Sequence, residues 1–484
     1  MKTLIHSARL LAPMDDARRR LPDGWLLIDG TRIAALGAGP PPAEVAGAAT
    51  RRIDATGKVV LPGFVNTHHH LPQTLTRNVP SVQQAPLFRW LTELYQVWRH
   101  ADAAAVGVAA RVGLSELLLT GCTTSTDHLY LFPRGETRLI DVEIEAAREL
   151  GIRFHPTRGS MSRGQSQGGL PPDDVVQDEA AILEDSRRLI REHHDPRPGA
   201  MVRIALAPCS PFSVTEELMR RTADLAREHG VRLHTHLAET RDEEDYCRQT
   251  YGVRPVELMR RMGWLGRDVW LAHCVHLSAD EVALFGETGT GVAHCPTSNF
   301  RLGSGLCPVR GLLEAGAPVG LGVDGSASND SSNMMAELRQ ALLAHRTDPD
   351  PGRWITAEEV FWMATRGGAR CLGRDDVGSL EPGKAADVIL VETRRLSYAG
   401  AGSDPLAALV FSPWPEPVDT VIVNGEVRVE GGQVRGLDVP ALVAQADAIA
   451  ARLLAMRPGQ SPDRRPGGSP PLRGLAPRPP GRDR

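Results

Sequence analysis

Three consecutive histidines, His68, His69 and His70, follow the largely apolar stretch KVVLPGFVNT. Side chains alternate between the two faces of a strand, so His68 and His70 are predicted to point one way and His69 the other. Two imidazoles on one face, at the carboxyl end of a strand, can share one metal ion. A run of histidines can equally be a solvated turn, so this motif needs support from the rest of the chain.

A second histidine motif, His234-Thr235-His236, follows the apolar residues of VRL and has a carboxylate three residues further on, at Glu239. His236 is predicted to supply a third metal ligand. Zinc hydrolases pair such ligands with a glutamate that does not bind the ion and instead carries protons, which is the role predicted for Glu239. His234 is predicted to be a packed residue that lines the interior of the fold, a β-barrel by the reasoning that follows.

Two further strand ends carry polar residues. His273 follows DVWLA, where an imidazole can orient an attacking water or the substrate. Asp324 ends the apolar stretch PVGLGV, and it can act there as the last metal ligand and as a base for water. An aspartate before a glycine is otherwise usually a turn residue. His276 is predicted to be a loop or helix-cap residue, and His294 a supporting or structural one.

The elements that must position these residues alternate between short apolar strands and amphipathic helices from about residue 62 to 370, which is typical of a parallel sheet. The segment SVTEELMRRTADLAREHG predicts a helix that begins at Ser213 or Thr215 and stops at Gly230. The number of repeats, and the polar residues at strand ends, favour a (β/α)8 barrel over an open doubly wound sheet.

Segments with short β-strand patterns flank the predicted barrel. They cover residues 3–60 and the stretches VGSLEPGKAADVILVE and PVDTVIVNGEVRVEGGQV, the last with a hairpin turn at Asn424-Gly425. We predict a composite β-sandwich domain from residues 1–61 and 375–436, the barrel at 62–374, a helix at 437–456, and a disordered basic tail, rich in proline and arginine, at 457–484.

The composition excludes several classes of partner. A net charge of −4 and a hydrophobic content of 42% are ordinary for a globular protein and give no reason to expect a nucleic-acid partner. Seven scattered cysteines without a C-x-x-C pair predict a reducing compartment, no disulfides and no thiolate metal site. The N-terminal segment lacks a sustained apolar region, and no run reaches the roughly 18 apolar residues of a membrane span. We therefore expect a cytoplasmic protein with no membrane partner.

The motifs PGFVNTHHH, HLAET, LAHCVH, HCPTSN and LGVDGSASN resemble those of the amidohydrolase superfamily, in its branch of mononuclear nucleobase and triazine deaminases. EPGKAADVILVE and VIVNGEVRVEGG resemble that family's composite β domain. The resemblance implies an α/β fold with a distorted (β/α)8 TIM barrel, and homo-oligomers are common in the family. It implies metal ligands at His68, His70, His236 and Asp324, a proton-shuttling Glu239, and His273 as the residue that orients the attacking water.

The metal count follows from a residue type that the barrel lacks. Binuclear relatives bridge two metals with a carboxylated lysine on the fourth barrel strand, which reads MVRIALAPCSP here. The chain has no lysine between Lys58 and Lys384, and that strand has no glutamate to take its place. We therefore expect one Zn²⁺ per subunit, although a site of three histidines and one aspartate also accepts Fe²⁺.

Five residues are predicted to contact the substrate. Gln73, three residues beyond the second ligand, offers a donor and acceptors to the edge of a purine or pterin. Trp90 can stack on a flat substrate ring, or it can lie on the apolar face of its helix and pack in the hydrophobic core. Cys209 and Ser210 end the fourth strand and Arg158 ends the third, and either strand end can face a ring carbonyl.

Two segments, HPTRGSMSRGQSQGGLPPDDVVQDE and NTHHHLPQTLTRNVPSVQQAPLFRWL, resemble the subgroup of 8-oxoguanine deaminases. This implies a small heterocyclic substrate, 8-oxoguanine, that is converted to uric acid and ammonia. Deaminases of guanine, isoxanthopterin or hydroxylated triazines share most of these features, and a cyclic amide hydrolase resembling imidazolonepropionase would use the same metal and glutamate. A barrel that binds a ligand without turnover is a further alternative, but the presence of Glu239 together with Asp324 argues against it.

Overall fold

The chain begins with five strands and a short helix that lie outside the barrel. The computed structural model describes residues 1–133, 136–412 and 416–457. The first elements are β1 (Lys2–Leu11), β2 (Leu21–Asp29), β3 (Arg32–Gly37), α1 (Ala43–Ala48), β4 (Arg51–Asp54) and β5 (Lys58–Pro62). β1 is antiparallel to β2 and parallel to both β4 and β5.

Eight parallel strands then form a closed barrel. They are β6 (Phe64–Asn66), β7 (Cys122–Leu129), β8 (Arg153–Ser160), β9 (Ala205–Pro208), β10 (Arg232–Leu237), β11 (Val269–His273), β12 (Gly291–His294) and β13 (Val319–Leu321). β13 pairs back with β6, between Leu321 and Asn66, and this pairing closes the barrel. Strands such as β11 and β12 are buried along their whole length, because helices cover the outside of the barrel and side chains fill the inside.

Helices connect these strands and surround the barrel. They are α2 (Leu87–Trp98), α3 (Ala103–Leu119), α4 (Leu139–Leu150), α5 (Glu179–His193), α6 (Glu216–Glu228), α7 (Arg241–Tyr251), α8 (Pro255–Arg261), α9 (Ala279–Thr288), α10 (Pro296–Arg301), α11 (Val309–Glu314), α12 (Met334–Ala344), α13 (Ala357–Trp362) and α14 (Gly368–Cys371). The Thr215 side chain accepts the backbone N–H of Leu218 and caps α6, and Gly230 follows its end with a left-handed φ of 64°.

After the barrel the chain returns to the first sheet. β14 (Val388–Glu392) pairs with β5, and after α15 (Pro405–Phe411) come β15 (Thr420–Val423), β16 (Glu426–Glu430) and β17 (Gln433–Val434). The result is one mixed sheet of nine strands. Asn424 and Gly425, with φ of 51° and 83°, form the predicted hairpin turn between β15 and β16. These elements confirm a (β/α)8 barrel with a composite β domain, while the boundaries between the two stay a prediction.

A last helix, α16 (Val439–Ala455), packs on the barrel. Leu453 is 2% exposed and joins a cluster with Leu75, Val97 and Ala105, so α16 covers the segment that follows the histidine motif as well as α2 and α3. The predicted disordered tail at 457–484 lies outside the described residues, except for Arg457. Within the described parts of the chain, none of the helices combines the length and apolarity that crossing a bilayer requires.

Candidate active site

The motif with three histidines lies directly after β6, at the carboxyl end of the barrel. Its backbone is held by the neighbouring strands on both sides. The N–H of His128 donates to the carbonyl of His69 at 2.8 Å, and the N–H of Asp324 donates to the carbonyl of His68 at 3.0 Å. The side chains of His68 and His70 join a cluster of histidines, whereas the ring of His69 contacts a serine outside this cluster.

Each of the three imidazoles predicted as ligands has its Nδ1 engaged. His70 Nδ1 lies 2.7 Å from the carbonyl oxygen of His128, and His236 Nδ1 lies 2.6 Å from that of Cys209. A carbonyl oxygen only accepts, so both Nδ1 atoms carry the proton and both Nε2 atoms present a lone pair. His68 Nδ1 contacts another imidazole at 2.8 Å, and its Nε2 has no hydrogen-bond partner among the described residues.

Three of the distances among these Nε2 atoms and the Asp324 carboxylate match the spacing of ligands around one cation. His70 Nε2 lies 3.1 Å from His236 Nε2, and Asp324 Oδ1 lies 3.3 Å from Nε2 of both His68 and His70. In a tetrahedral zinc site with bonds of roughly 2.0–2.1 Å, neighbouring ligand atoms are about 3.3 Å apart. Two lone pairs that face each other at 3.1 Å repel unless a cation lies between them. The residues present therefore fit a divalent metal ion.

Asp324 is held by its backbone and by two hydroxyls. It has a left-handed φ of 63°, and the N–H of Gly325 donates to its Oδ1 at 2.7 Å. The hydroxyls of Ser298 and Ser328 donate to its Oδ2 at 2.6 and 3.3 Å. Burial opposes ionisation, but the neighbouring His68, His273 and His70 outweigh it and hold the pKa of Asp324 well below its usual range. These surroundings favour the ionised form of the Asp324 carboxylate.

Glu239 and His273 face each other beside the cation site. Glu239 Oε2 lies 3.6 Å from His273 Nε2, which lies 3.9 Å from Asp324 Oδ2. Burial raises the pKa of Glu239 to about 7, although His273 opposes the rise. Burial lowers the pKa of His273, but the two carboxylates outweigh it and the net change is a rise. His273 Nδ1 lies 2.9 Å from Oδ1 of Asn299, which only accepts, so Nε2 is aimed at the carboxylates.

A second buried glutamate shapes the loop that carries Glu239. The carboxylate of Glu243, in the first turn of α7, accepts the backbone N–H of Ala238 at 2.8 Å and that of Glu239 at 2.9 Å. Ala238 has a left-handed φ of 51°, a conformation that residues other than glycine adopt only when their surroundings enforce it. Glu243 thus fixes the turn that brings Glu239 back over the end of the barrel.

The cation site opens into a mostly apolar pocket. Four of the residues predicted to contact the substrate, Gln73, Trp90, Cys209 and Ser210, line this pocket. Trp90 is 2% exposed, and its indole N–H donates to the carbonyl of Ala327 at 3.3 Å. Trp90 therefore belongs both to the hydrophobic core around α2 and to the wall of the pocket. The sequence had left a core position and a position facing a flat ring as alternatives for it.

The structure does not bring Arg158 to this pocket, whose described lining residues do not include it. Its guanidinium donates to Asp185 on α5 at 2.7 Å and to Gln177 at 2.8 Å, and it stacks on the ring of Phe132 at 4.0 Å. A buried charge is stable when it is paired in this way. Arg158 attaches the third barrel strand to α5 instead of facing a ring carbonyl.

Several residues of the site carry no signal of their own in the sequence. Apolar and aromatic residues from distant segments complete the pocket: Leu87, Leu91, Tyr95, Tyr130, Phe212 and Leu302. Their type and spacing resemble those of ordinary core residues. Ser298 and Asn299 lie within the motif HCPTSN, so the motif pointed to this segment but not to the contacts with Asp324 and His273.

His128 belongs to the same histidine cluster as the three predicted ligands, and three other histidines have different surroundings. His294 is buried, and its Nε2 lies 3.3 Å from Nε2 of His345, which favours the structural one of its two predicted roles. His276 is half-buried in the loop after β11. His234 is buried inside the barrel, between His68 and Trp270.

Comparisons with known proteins agree with this geometry. The profile of the amidohydrolase family matches residues 59–428. An 8-oxoguanine deaminase from Pseudomonas aeruginosa is 52% identical over 432 residues, which cover 89% of this chain and 95% of that protein. An isoxanthopterin deaminase from an unknown prokaryotic organism is 37% identical over 459 residues, covering 91% of this chain and 94% of that one.

A solved structure with bound metal is similar as well. The crystal structure of atrazine chlorohydrolase TrzN from Arthrobacter aurescens, complexed with zinc, matches with a TM-score of 0.87 and 36% identity. The match covers 93% of this chain and 100% of that one. The similarity therefore extends over both the barrel and the composite β domain.

Proposed function

The chain belongs to the amidohydrolase family, and on that premise we propose that it removes the exocyclic amine of 8-oxoguanine by hydrolysis, which yields uric acid and ammonia. Its family and its deaminase relatives make it a hydrolytic deaminase, and the identity of the substrate is what the proposal adds. The convergence of Glu239, His273 and Asp324 beside three imidazole lone pairs, at the floor of one pocket, is the observation that carries the proposal.

We assign the cation site to a single zinc ion. His68, His70, His236 and Asp324 would hold it, and three neutral imidazoles with one carboxylate leave a net charge of about +1 at a zinc site. The absence of a lysine between Lys58 and Lys384 supports one metal rather than two. A bound zinc ion lowers the pKa of water and so makes a nucleophile available near neutral pH.

Asp324 and His273 act on the attacking water. Asp324 Oδ2 lies 3.9 Å from His273 Nε2, and the ionised carboxylate accepts a proton from the attacking water. His273, with Nδ1 bound to Asn299, directs Nε2 at the same space and orients the water by a hydrogen bond. The oxygen then attacks the ring carbon that carries the exocyclic amine.

Glu239 acts on the ring. With a pKa of about 7 it carries a proton in about half of the molecules at neutral pH, and it donates this proton to the ring nitrogen beside the attacked carbon. The proton that Asp324 received then passes to the amine, the carbon–nitrogen bond breaks, and ammonia leaves. The proton of the added hydroxyl returns to the Glu239 carboxylate, which leaves the oxo group on the ring and restores the enzyme. One water is consumed, and the second product is the oxo compound, which is uric acid when the substrate is 8-oxoguanine.

The pocket supports a flat, polar-edged substrate. Trp90, Tyr95 and Tyr130 supply aromatic walls, whereas Gln73 and Ser210 supply hydrogen-bonding groups within them. Gln73 offers both a donor and acceptors to a heterocycle that has carbonyl and N–H groups along one edge. The 52% identical relative acts, by its name, on 8-oxoguanine, and this favours that substrate among the heterocycles.

The test is a substrate panel on zinc-loaded enzyme, with 8-oxoguanine, guanine, isoxanthopterin, hydroxyatrazine and cytosine as substrates. Released ammonia and the ring product are measured together. We expect kcat/KM to be at least tenfold higher for 8-oxoguanine than for the others, with uric acid formed in equal amount to ammonia. An equal or higher kcat/KM for another heterocycle overturns the substrate, and ring opening without ammonia overturns the deaminase assignment in favour of a cyclic amide hydrolase.

A further inference from the structure

His234 is a buried imidazole that the reaction above does not use. It lies on β10, two residues before the ligand His236, and it is 0% exposed. Its Nδ1 lies 2.8 Å from the carbonyl oxygen of Trp270, and its Nε2 lies 2.8 Å from Nδ1 of His68. Both ring nitrogens are therefore engaged, each with a different neighbour.

These two contacts fix the position of every proton in the row that the Trp270 carbonyl, His234 and His68 form. The carbonyl of Trp270 only accepts, so His234 carries its proton on Nδ1 and presents a lone pair at Nε2. That lone pair can only accept, so His68 must carry its own proton on Nδ1. His68 Nε2 is then a lone pair, and it is the atom that lies 3.3 Å from Asp324 Oδ1. The carbonyl of Trp270 thus determines the tautomer of His68 through His234.

Trp270 holds the same pair of histidines in a second way. Its indole ring stacks on the ring of His234, with centroids 4.4 Å apart and an interplanar angle of 18°. Its indole N–H donates to the carbonyl of Thr67 at 3.0 Å, immediately before His68 in the chain. One residue on β11 therefore fixes both the ring behind His68 and the backbone that carries it.

His68 differs in this respect from the other two imidazoles. His70 and His236 donate directly to backbone carbonyls, of His128 and Cys209, whereas His68 reaches a carbonyl only through a second imidazole. An outer partner of this kind fixes the tautomer and orientation of a ligating histidine and typically changes metal affinity by about 10- to 100-fold.

We infer that His234 is a positioning residue for the cation, which fixes His68 as an Nε2 ligand through the row Trp270 carbonyl, His234, His68. The inference rests on the cation site of the proposed function but not on the substrate. An apolar residue of similar size would fill the same space and could not accept the proton of His68. A role for His234 in accepting the proton of His68 therefore predicts a different effect of substitution from a role in packing alone.

The experiment compares two substitutions by their zinc dissociation constants, measured by competition with a chelator. His234→Leu removes the acceptor, and we expect a constant at least tenfold weaker than that of the wild-type enzyme. His234→Gln keeps an amide oxygen that can accept from His68, and we expect it to recover most of that loss. His294→Leu, which removes another buried barrel histidine, is the matched control and is expected to stay within about twofold of wild type.

Two outcomes overturn the inference: a His234→Leu constant within twofold of wild type, or a His234→Gln loss as large as that of leucine. If His234→Leu does not fold, neutron diffraction on deuterium-exchanged, zinc-loaded wild-type enzyme decides the same question. The inference requires deuterium on Nδ1 of His68 and none on Nε2 of His234, and the opposite arrangement contradicts it. Wild-type enzyme that binds zinc but leaves 8-oxoguanine intact overturns the proposed substrate and not this inference.

Discussion

Glu239 and Asp324 are two carboxyl groups in one site with opposite electrostatic surroundings. Burial raises the pKa of Glu239 to about 7, whereas the neighbouring histidines outweigh burial at Asp324 and hold its pKa well below its usual range. Enzymes that run acid and base chemistry together at neutral pH separate the pKa values of two groups in this manner. The difference supports the proposed roles of Glu239 as the proton donor and of Asp324 as the base and metal ligand.

Glu239→Gln tests this division at the scale of one residue. Glutamine keeps the shape of the side chain but cannot give up a proton, so we expect kcat for ammonia release to fall by about 10²- to 10⁴-fold. Zinc content should stay at the wild-type value, because Glu239 is not among the ligands. Exposed Glu228→Gln on α6 is the control and should keep wild-type kcat. A Glu239→Gln enzyme with kcat within tenfold of wild type contradicts the assignment.

The sequence predicted residues of the cation site better than those of the substrate pocket. Histidine, glutamate and aspartate at the ends of successive strands are rare in combination, so residue type and order carried the prediction. Arg158 also ends a strand, but the sequence does not reveal that Asp185, on the next helix, neutralises it. Tyr130 and Phe212 could not be distinguished from core residues, because only the folded chain shows which apolar side chains face a cavity.

At the scale of elements, three strand ends depart from regular geometry where the site lies. Ala238 after β10, His273 at the end of β11 and Asp324 after β13 all have left-handed φ values, of 51°, 71° and 63°. Such residues cost free energy unless neighbouring contacts enforce them, and they cluster at functional sites. No sequence pattern predicted these left-handed conformations, because such conformations are usually predicted at glycine and asparagine. Strand alternation therefore predicted the directions of His68 and His70 after β6, but not those of the side chains at these three strand ends.

Strand β7 and helix α4 share a buried pair of carboxyl groups that gives a pH prediction. Asp127 and Glu143 are both 0% exposed, and Asp127 Oδ1 accepts the backbone N–H of Leu71 at 2.5 Å. Burial raises the pKa of Asp127 to about 8, and burial together with the charge of Asp127 raises that of Glu143 well above its usual value. Both groups therefore hold their protons in the folded protein at neutral pH.

The sign of the pH effect follows from these raised values. The unfolded chain releases the Asp127 proton from about pH 4 upward and the folded chain only near pH 8, so unfolding becomes easier by up to about 1.4 kcal/mol per pH unit between those values. Asp127→Asn keeps an acceptor for Leu71 but cannot ionise. From pH 6 to pH 8 we expect its thermal midpoint to rise relative to that of the wild-type enzyme. A difference in thermal midpoint between Asp127→Asn and the wild-type enzyme that stays constant across this range contradicts the account. An equal rise for the exposed substitution Asp224→Asn contradicts it as well.

At the scale of the whole molecule, a buried ion pair joins the barrel to the composite sheet. Arg153 on β8 donates to both carboxylate oxygens of Asp387, just before β14, at 3.0 Å each, and the side chains are 0% and 3% exposed. Asp387 also accepts the N–H of Asn424 in the hairpin turn at 2.7 Å. One carboxylate therefore holds together segments from the two parts of the chain.

Asp387→Ala leaves Arg153 buried without its partner, and we expect unfolding to become easier by about 3–5 kcal/mol, measured by urea denaturation. The exposed pair Arg435–Glu430, with side chains 53% exposed, is the matched control, and Glu430→Ala should change stability by less than about 0.5 kcal/mol. Replacing Arg153 and Asp387 together by apolar residues should regain part of the loss. An Asp387→Ala change no larger than that of the control contradicts the structural importance of this pair.

The overall architecture was predictable from sequence to a large extent, since strand–helix alternation implies parallel strands and terminal β segments need each other to form a sheet. The pairing of β5 with β14 was not predictable, because it joins segments more than three hundred residues apart. A contact between segments that are far apart along the chain leaves no periodic pattern in a single sequence. The structure is needed to show that the sheet is continuous across both ends of the chain.

The account depends on three imidazoles and one aspartate meeting around a single cation. Anomalous diffraction at the zinc absorption edge, on crystals of the purified enzyme, tests this most directly. We predict one peak in each chain, bonded to Nε2 of His68, His70 and His236 and to the carboxylate of Asp324. Density that shows no metal there in active enzyme, or a metal bound by other residues, would contradict the account.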